Sequence, residues 1–321
     1  MKTTAKLFLT LFVCFSFSQF SFATKWRINN NSIQANFTQL HQAASSSNVL
    51  SGDTLYVEGT VFVYEDVNFY KRVVIIGNGY YLGENDSTQA NVNASRVNNI
   101  TFSNGSRGSV VTGMSVVNTL NILDSSIVIK RNNLNNIGIN NCANTVFIDN
   151  CILMRLSCSN SMNSLISNNL FINADGYTQN ITISSNSSAT VMNNVFKGPQ
   201  YYQNCILRNN IATGVNGTGN DGLAAVNTAM EHNIGAGTQY GSSNGNMENV
   251  YMSMVFANTG STDGKFRLKT GSVAIGAGTG GVDCGAFGGD YPYVLSGLPE
   301  VPAIWYLNVV GTSVTVKAKS H

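Results

Sequence analysis

Charge is scarce in this chain. Only 11% of its 321 residues are Asp, Glu, Lys or Arg, and the formal net charge is +2. A nucleic acid or an anionic membrane as partner needs clustered Lys and Arg, so this balance argues against both. The three histidines, His41, His232 and His321, are too scattered for a catalytic triad or a zinc site. There is no phosphate loop, no His-Glu-x-x-His and no nucleophile elbow. Beyond residue 23 no apolar run reaches the roughly 18 residues that a spanning helix requires, so no membrane span is expected.

Cysteine is also sparse. Cys14 lies in the N-terminal leader, which leaves Cys142, Cys151, Cys158, Cys205 and Cys284. An odd count in an exported chain cannot form a fully paired framework. Buried thiols acting as small hydrophobes are the expectation, with a Cys142 to Cys158 bridge as the rival. The leader itself is residues 1–23: lysines at positions 2 and 6, an apolar run from Leu7 to Phe17, and the small-residue exit Ser21-Phe22-Ala23. That order describes a secretory signal peptide cleaved near Ala23, and hence a secreted or cell-surface protein.

What the chain has in abundance is asparagine, 44 residues, and glycine, 31, among plentiful Val, Ile and Phe. This mixture suits many short strands joined by tight corners. The asparagines recur. Taking Asn133, Asn150, Asn169, Asn194, Asn210 and Asn233 as markers, the steps are 17, 19, 25, 16 and 23 residues. Self-similarity near 20 residues is the mark of a solenoid, and uneven steps mark coils that carry insertions. Apolar pairs stay in phase with the markers: Leu120 and Ile122, Ile137 and Ile139, Leu156 and Cys158, Ile181 and Ile183. A spacing of two puts each pair on one face of a strand. The spacing therefore predicts an all-β parallel β-helix in which Leu134, Cys151, Leu170, Val195, Ile211 and Ile234 form an inward column. The marker asparagines turn its corners as a structural ladder, because Asn tolerates left-handed backbone and its amide bonds to neighbours. Lys130 is out of keeping with a column holding Phe147, Ile166, Val191, Leu207 and Met230, and a local slip of register explains it better than a buried ammonium.

Five segments follow: the signal peptide at 1–23, an N-terminal cap with a short amphipathic helix at 24–52, and coils over 53–236. A last coil and closing motif occupy 237–290, and capping strands 291–321. Nine or ten coils are expected, with covers over the open ends of the stack, and a monomer is the expectation.

The export signal, the Asn-rich coils and Val73-Val74-Ile75-Ile76-Gly77-Asn78-Gly79 together resemble the right-handed parallel β-helix superfamily, that is, pectate-lyase-like proteins. Residues 266–278, from Phe266 through Gly278, followed by Asp283-Cys284-Gly285-Ala286-Phe287-Gly288-Gly289, look like the closing motif of secreted bacterial β-helix repeat proteins, with departures at Val273 and Cys284. The resemblance implies the fold, while the architecture itself carries lyases, hydrolases, epimerases, adhesins and inert spines. Lyases of this kind neutralise an acidic polysaccharide with cations, often Ca²⁺, and remove a proton with Lys or Arg. The residues available for that role are Arg131, Asp149, Arg155, Asp175 and Arg208, and solvated charges on an outer wall are the alternative for all five. The coil aspartates are isolated, which disfavours a hydrolase with paired carboxylates. Gly217 to Gly222 resembles a single calcium-binding repeat, but such sites are built between consecutive repeats and no second copy follows, so a flexible loop is the expectation, and no metal or cofactor is otherwise implied. The sequons at Asn36, Asn99, Asn180 and Asn186 are at the frequency that abundant Asn and Ser produce by chance. The expectation for function is a carbohydrate-associated protein of the cell surface or medium without evident catalytic machinery. A polysaccharide lyase and a structural or adhesin module are the rivals.

Overall fold

Alternation of apolar and polar residues gives strands, and repetition of that alternation lets each strand pair with its copy one coil away. In the computed structural model, which describes residues 23–142, 146–172, 179–214 and 222–319, this produces a right-handed parallel β-helix of about nine turns. The first wall is a ten-stranded parallel sheet running from Lys25–Ile28 to Ala229–Glu231. A thirteen-stranded sheet supplies the other two walls. Met114–Ile122, Asn133–Asn140 and Ile152–Ser159 cross both of them unbroken, whereas later coils split into pairs such as Leu170–Phe171 and Ile181–Ile183.

The interior is filled by columns in register. Ile129, Ile148, Ile166, Val191, Leu207 and Met230 line the first wall. Leu134, Leu153, Phe171 and Phe196 line the second, with the Phe171 and Phe196 rings stacked at 4.6 Å. Leu120, Ile137, Leu156 and Ile181 line the third. Lys130 is not inside: it is in register with Asp149 on the outer face, one residue beyond the Ile129 column. The expected inward column also shifts. Ile152, Leu170, Val195, Ile211 and Ile234 are in register, but they face outward from the second wall into a separate apolar cluster.

The corner between the first and second walls has two columns. Arg131, Asn150, Asn168, Asn193, Asn209 and His232 all have φ between 52° and 56°. The residue after each is the true ladder position: Asn132, Cys151, Asn169, Asn194, Asn210 and Asn233, with Asn246 as a further rung. Asn169, Asn194, Asn210 and Asn233 thus stand where the repeat put them, whereas Asn133 lies one residue past the ladder and Asn150 one before it. Each Asn Oδ1 accepts the backbone N–H of the preceding rung, as Asn210 does from Asn194 at 3.0 Å, and Asn210 Nδ2 donates to Val191 O at 2.9 Å and to Asn233 Oδ1 at 2.9 Å. At the coil of Asn150 a thiol substitutes: Asn132 N–H donates to Cys151 Sγ at 3.4 Å, and Cys151 N–H donates to Asn169 Oδ1 at 2.9 Å.

The helix Leu40–Ser45 covers the N-terminal end, with Leu40 and Ala43 buried in the main core. At the other end Met247 bridges to Ile234, and Tyr240 enters the core, where its hydroxyl donates to Gln200 Oε1 at 3.1 Å. The closing motif then runs back along the flank as a strap over the outer face of the second wall. Val255, Phe256, Ala274, Cys284, Ala286 and Tyr293 pack on Ile152, Leu170, Val195, Ile211 and Ile234. A Cβ on Gly285, whose φ is +85°, would stand 2.7 Å from the Ile211 side chain, so glycine is what allows the strap this close. The terminal hairpin of Ala303–Val310 and Ser313–Lys319 forms, and its base rests beside the first coils, where Ala90 N–H donates to Ile304 O at 2.7 Å.

Asn210→Ala leaves one backbone N–H and one carbonyl buried without their partner, a cost of about 3 kcal/mol. The Asn133 side chain makes no hydrogen bond among the described residues, and Asn133→Ala is expected to cost less than about 1 kcal/mol. Urea unfolding midpoints of the two variants check the contrast.

Candidate functional site

The left-handed corner residues project outward, and their side chains lace down the strap. His232 Nδ1 meets Ala277 O at 2.9 Å, and Asn209 Oδ1 accepts from Thr279 N at 2.9 Å. Asn193 Nδ2 donates to Asp283 O at 3.1 Å, and Asn168 Nδ2 to Gly288 O at 2.7 Å. Asn150 both donates to Tyr291 O at 3.0 Å and accepts from Val294 N at 2.7 Å, and Arg131 Nη1 donates to Leu298 O at 2.8 Å. Arg131 is thereby committed: its side chain is 14% exposed and also pairs with Glu300 at 3.3 Å. Lys130 takes the other Glu300 oxygen at 2.7 Å.

Asp149 neighbours Lys130 across the strand pair and accepts from Ser167 Oγ at 2.9 Å and from Asn150 Nδ2 at 3.1 Å. Burial raises its pKa above the ordinary carboxylate range, opposed by those hydrogen bonds and by the nearby Arg131 charge. Arg131 and Asp149 are thus brought together, with Lys130 and Glu300 added. Arg208 shares the Asp149 column three strands along, about 14 Å away at parallel-strand spacing, and is paired closely with Glu231. Arg155 is on the third wall, exposed and in register with Asn136, with no ion-pair partner among the described residues. Asp175 and the Gly217–Asp221 loop lie outside the described residues. Glu300 was invisible to repeat analysis, because it belongs to a segment with no rung equivalent.

The three walls differ in what they show to solvent. The second is covered by the strap. The first carries a mostly apolar outer row of Val74, Val110, Val128, Phe147, Leu165, Thr190 and Ile206 beside its ion pairs. The third carries Asn68, Thr101, Asn121, Gly138, Ser157, Thr182 and Tyr201 in one register. Beside that row runs an exposed amide stack, in which Asn118 Nδ2 donates to Asn98 Oδ1 and Asn98 Nδ2 to Asp66 Oδ1, both at 2.5 Å. The spacing of Asn98, Asn118 and Asn136 by 20 and 18 residues was the sequence signal for this stack.

All five described cysteines are free and buried. Burial pushes the Cys142 and Cys205 thiols up to about 11 and those of Cys151 and Cys284 to about 12. None is an activated nucleophile. Among the described residues no group of three or more His, Cys, Asp and Glu is placed to hold a metal ion, and no helix is long and apolar enough to cross a membrane. No protein family matches the chain, and neither curated proteins nor solved structures contain a significant match.

Two outcomes follow from these contacts. Arg131→Ala frees the Leu298 carbonyl and weakens the hold on Glu300, which amounts to about 2 kcal/mol of local opening energy and roughly thirtyfold faster amide exchange near residue 298. Exchange in the first-wall strands stays unchanged. For the thiols, both states are neutral below the unfolded value of 9, and above it the unfolded chain ionises first. Stability is therefore lost as pH rises from 9 towards 12, which alkaline unfolding curves measure.

Proposed function

We propose that the chain is an exported or cell-surface protein of the pectate-lyase-like β-helix kind that binds a glycan along an open wall, as a monomer and without catalysis or cofactor. The observation that carries this reading is the contrast between walls. The third wall is a continuous bed of amides and hydroxyls, which is the chemistry that meets sugar hydroxyls. The candidate cations of the first wall and its corner are instead spent on carboxylates and the strap, Lys130 and Arg131 on Glu300 and Arg208 on Glu231, which among the described residues leaves Arg155 as the unpaired one.

A second reading rests on the adjacency of Lys130, Arg131 and Asp149, with Tyr291 exposed nearby. Two cations beside a carboxylate are the parts from which β-elimination of an acidic glycan, assisted by Ca²⁺, would be built. It ranks second because a base must be free to take the proton, and both cations already hold partners.

A panel of neutral and acidic polysaccharides, with and without Ca²⁺, separates the two. Retention of the protein in affinity electrophoresis, with no ultraviolet absorbance from unsaturated uronates, is expected. Uronate product that disappears in Arg131→Ala would replace this reading with the lyase.

A further inference from the structure

We infer that the third wall is the binding face and that its ligand is a neutral, extended polysaccharide chain lying along the helix axis; this deepens the glycan-binding reading and rests on it. The centre of the face is a notch at Gly138. A Cβ there would stand 3.3 Å from Asn121 Oδ1, 3.4 Å from Asn140 Nδ2 and 4.0 Å from Ser157 Oγ, so three polar side chains surround a position with no side chain of its own. The Asn121 and Asn140 amides make no hydrogen bond to protein among the described residues, and they are partly exposed. Each amide keeps two donors and an acceptor to offer.

The notch is continued in both directions by Thr101 and Thr182, one strand beyond Asn121 and Ser157 respectively. Parallel strands repeat at about 4.8 Å, so Thr101 to Thr182 offers five rungs over roughly 19 Å. A regular row of this kind fits a polymer whose hydroxyls also repeat regularly, with the chain axis parallel to the solenoid axis. Thr182 and Tyr201 are already oriented by hydrogen bonds, from Thr182 Oγ1 to Gln179 Oε1 at 2.7 Å and from Gln203 Nε2 to the Tyr201 hydroxyl. Tyr201 supplies an aromatic surface at that end of the row, the side chain on which the apolar face of a sugar ring rests.

Charge selects the class of glycan. The row from Asn68 to Tyr201 contains no ionisable carboxylate or ammonium. A polyuronate would bring a negative charge on every residue to a face whose flanking cation is Arg155 alone in the neighbouring row. A neutral chain has no charge to compensate there. The other walls do not compete: the strap occupies the second, and the first presents a mostly apolar row with ion pairs.

The test uses the full chain and measures affinity for soluble β-glucan, xylan and mannan and for a polyuronate, at low and high salt. The variants are Asn121→Ala/Ser157→Ala, Arg155→Ala and, on the first wall, Phe147→Ala. Circular dichroism and thermal unfolding confirm folding, and Asn121→Ala alone keeps the test open if the double variant unfolds, since that amide has no protein partner. The expected result is binding to at least one neutral glycan, weakened about tenfold or more in the double variant. Binding is expected to change less than about twofold with Arg155→Ala, with Phe147→Ala or with salt, because no ion pair is involved. Neutral-glycan binding that survives the double variant and falls in Phe147→Ala overturns the placement on the third wall while leaving the glycan-binding reading standing. Binding confined to the polyuronate and abolished by salt or Arg155→Ala overturns the neutral class. Failure to retain any glycan overturns both this inference and the function it rests on.

Discussion

The buried amide ladder is the interaction on which the rest of this molecule depends. A corner that turns from one wall to the next must leave backbone N–H and C=O groups inside the protein, and each needs a partner. The Asn side chain serves as a portable piece of backbone. In Asn194 the amide oxygen accepts from Asn169 N at 2.9 Å and the amide nitrogen donates to Ile166 O of that same coil at 2.9 Å and to Met192 O of its own coil at 2.9 Å, so one side chain ties two coils together. Every rung is satisfied by its neighbours, and none is satisfied alone. The substitution of Cys151 fits the same requirement, because its thiol donates to Asp149 O at 3.2 Å and receives Asn132 N–H. Burial holds that thiol protonated, which is the state in which it can donate.

The column just before the ladder shows how one backbone constraint acquires a second use. Its residues are held at positive φ, which Asn tolerates better than most side chains. The same geometry throws those side chains outward, where they find the strap's carbonyls and amides. The strap in turn covers Leu170, Val195, Ile211 and Ile234, aliphatic side chains that would otherwise form a stripe of apolar surface on the second wall. Beneath its far end lies a buried polar cluster: Asp263, wholly shielded from solvent, accepts from Ser296 N at 2.7 Å and Asn85 Nδ2 at 3.1 Å, and the Tyr293 and Tyr80 hydroxyls meet at 2.6 Å. The excursion around Asn85, which interrupts the early coils, is therefore the anchor of the C-terminal segment.

Much of the fold was legible because it is made of repeats. Apolar pairs two residues apart, kept in phase over four coils, fixed the third wall to the residue: Leu120, Ile137, Leu156 and Ile181 are in register as their spacing requires. Phase was lost at Asn133 and Asn150, and the reason is physical. The corner is defined by backbone conformation, not by residue type, and Arg131 and His232 occupy the positive-φ position as Asn does elsewhere. Counting asparagines therefore miscounts a coil whose corner is turned by another residue. The Lys130 slip has the same origin. The strap was not legible, since its contacts join residues far apart in the chain, Tyr81 and Ser296 by 215 positions, with no periodicity to announce them.

That gap decided which candidate residues could be judged from sequence. Arg131, Asp149 and Arg208 were candidates by residue type, yet whether a cation is free depends on partners, and Glu300 comes from outside the repeat; Arg208 falls in the Asp149 column, while Arg131 stands at the corner with Asn150. Unpaired hydrogen-bonding groups are the opposite case. A residue whose neighbours above and below are Thr, Ser or Gly on an open wall keeps its donors and acceptors for solvent or ligand, and the repeat itself supplies that information. Asn121, Gly138 and Ser157 occupy one register position in consecutive coils, so their shared lack of charge was written in the spacing. In a solenoid the chemistry of a wall is a property of a column, and a neutral polar column several coils long selects extended ligands of matching repeat more readily than it assembles a compact catalytic centre.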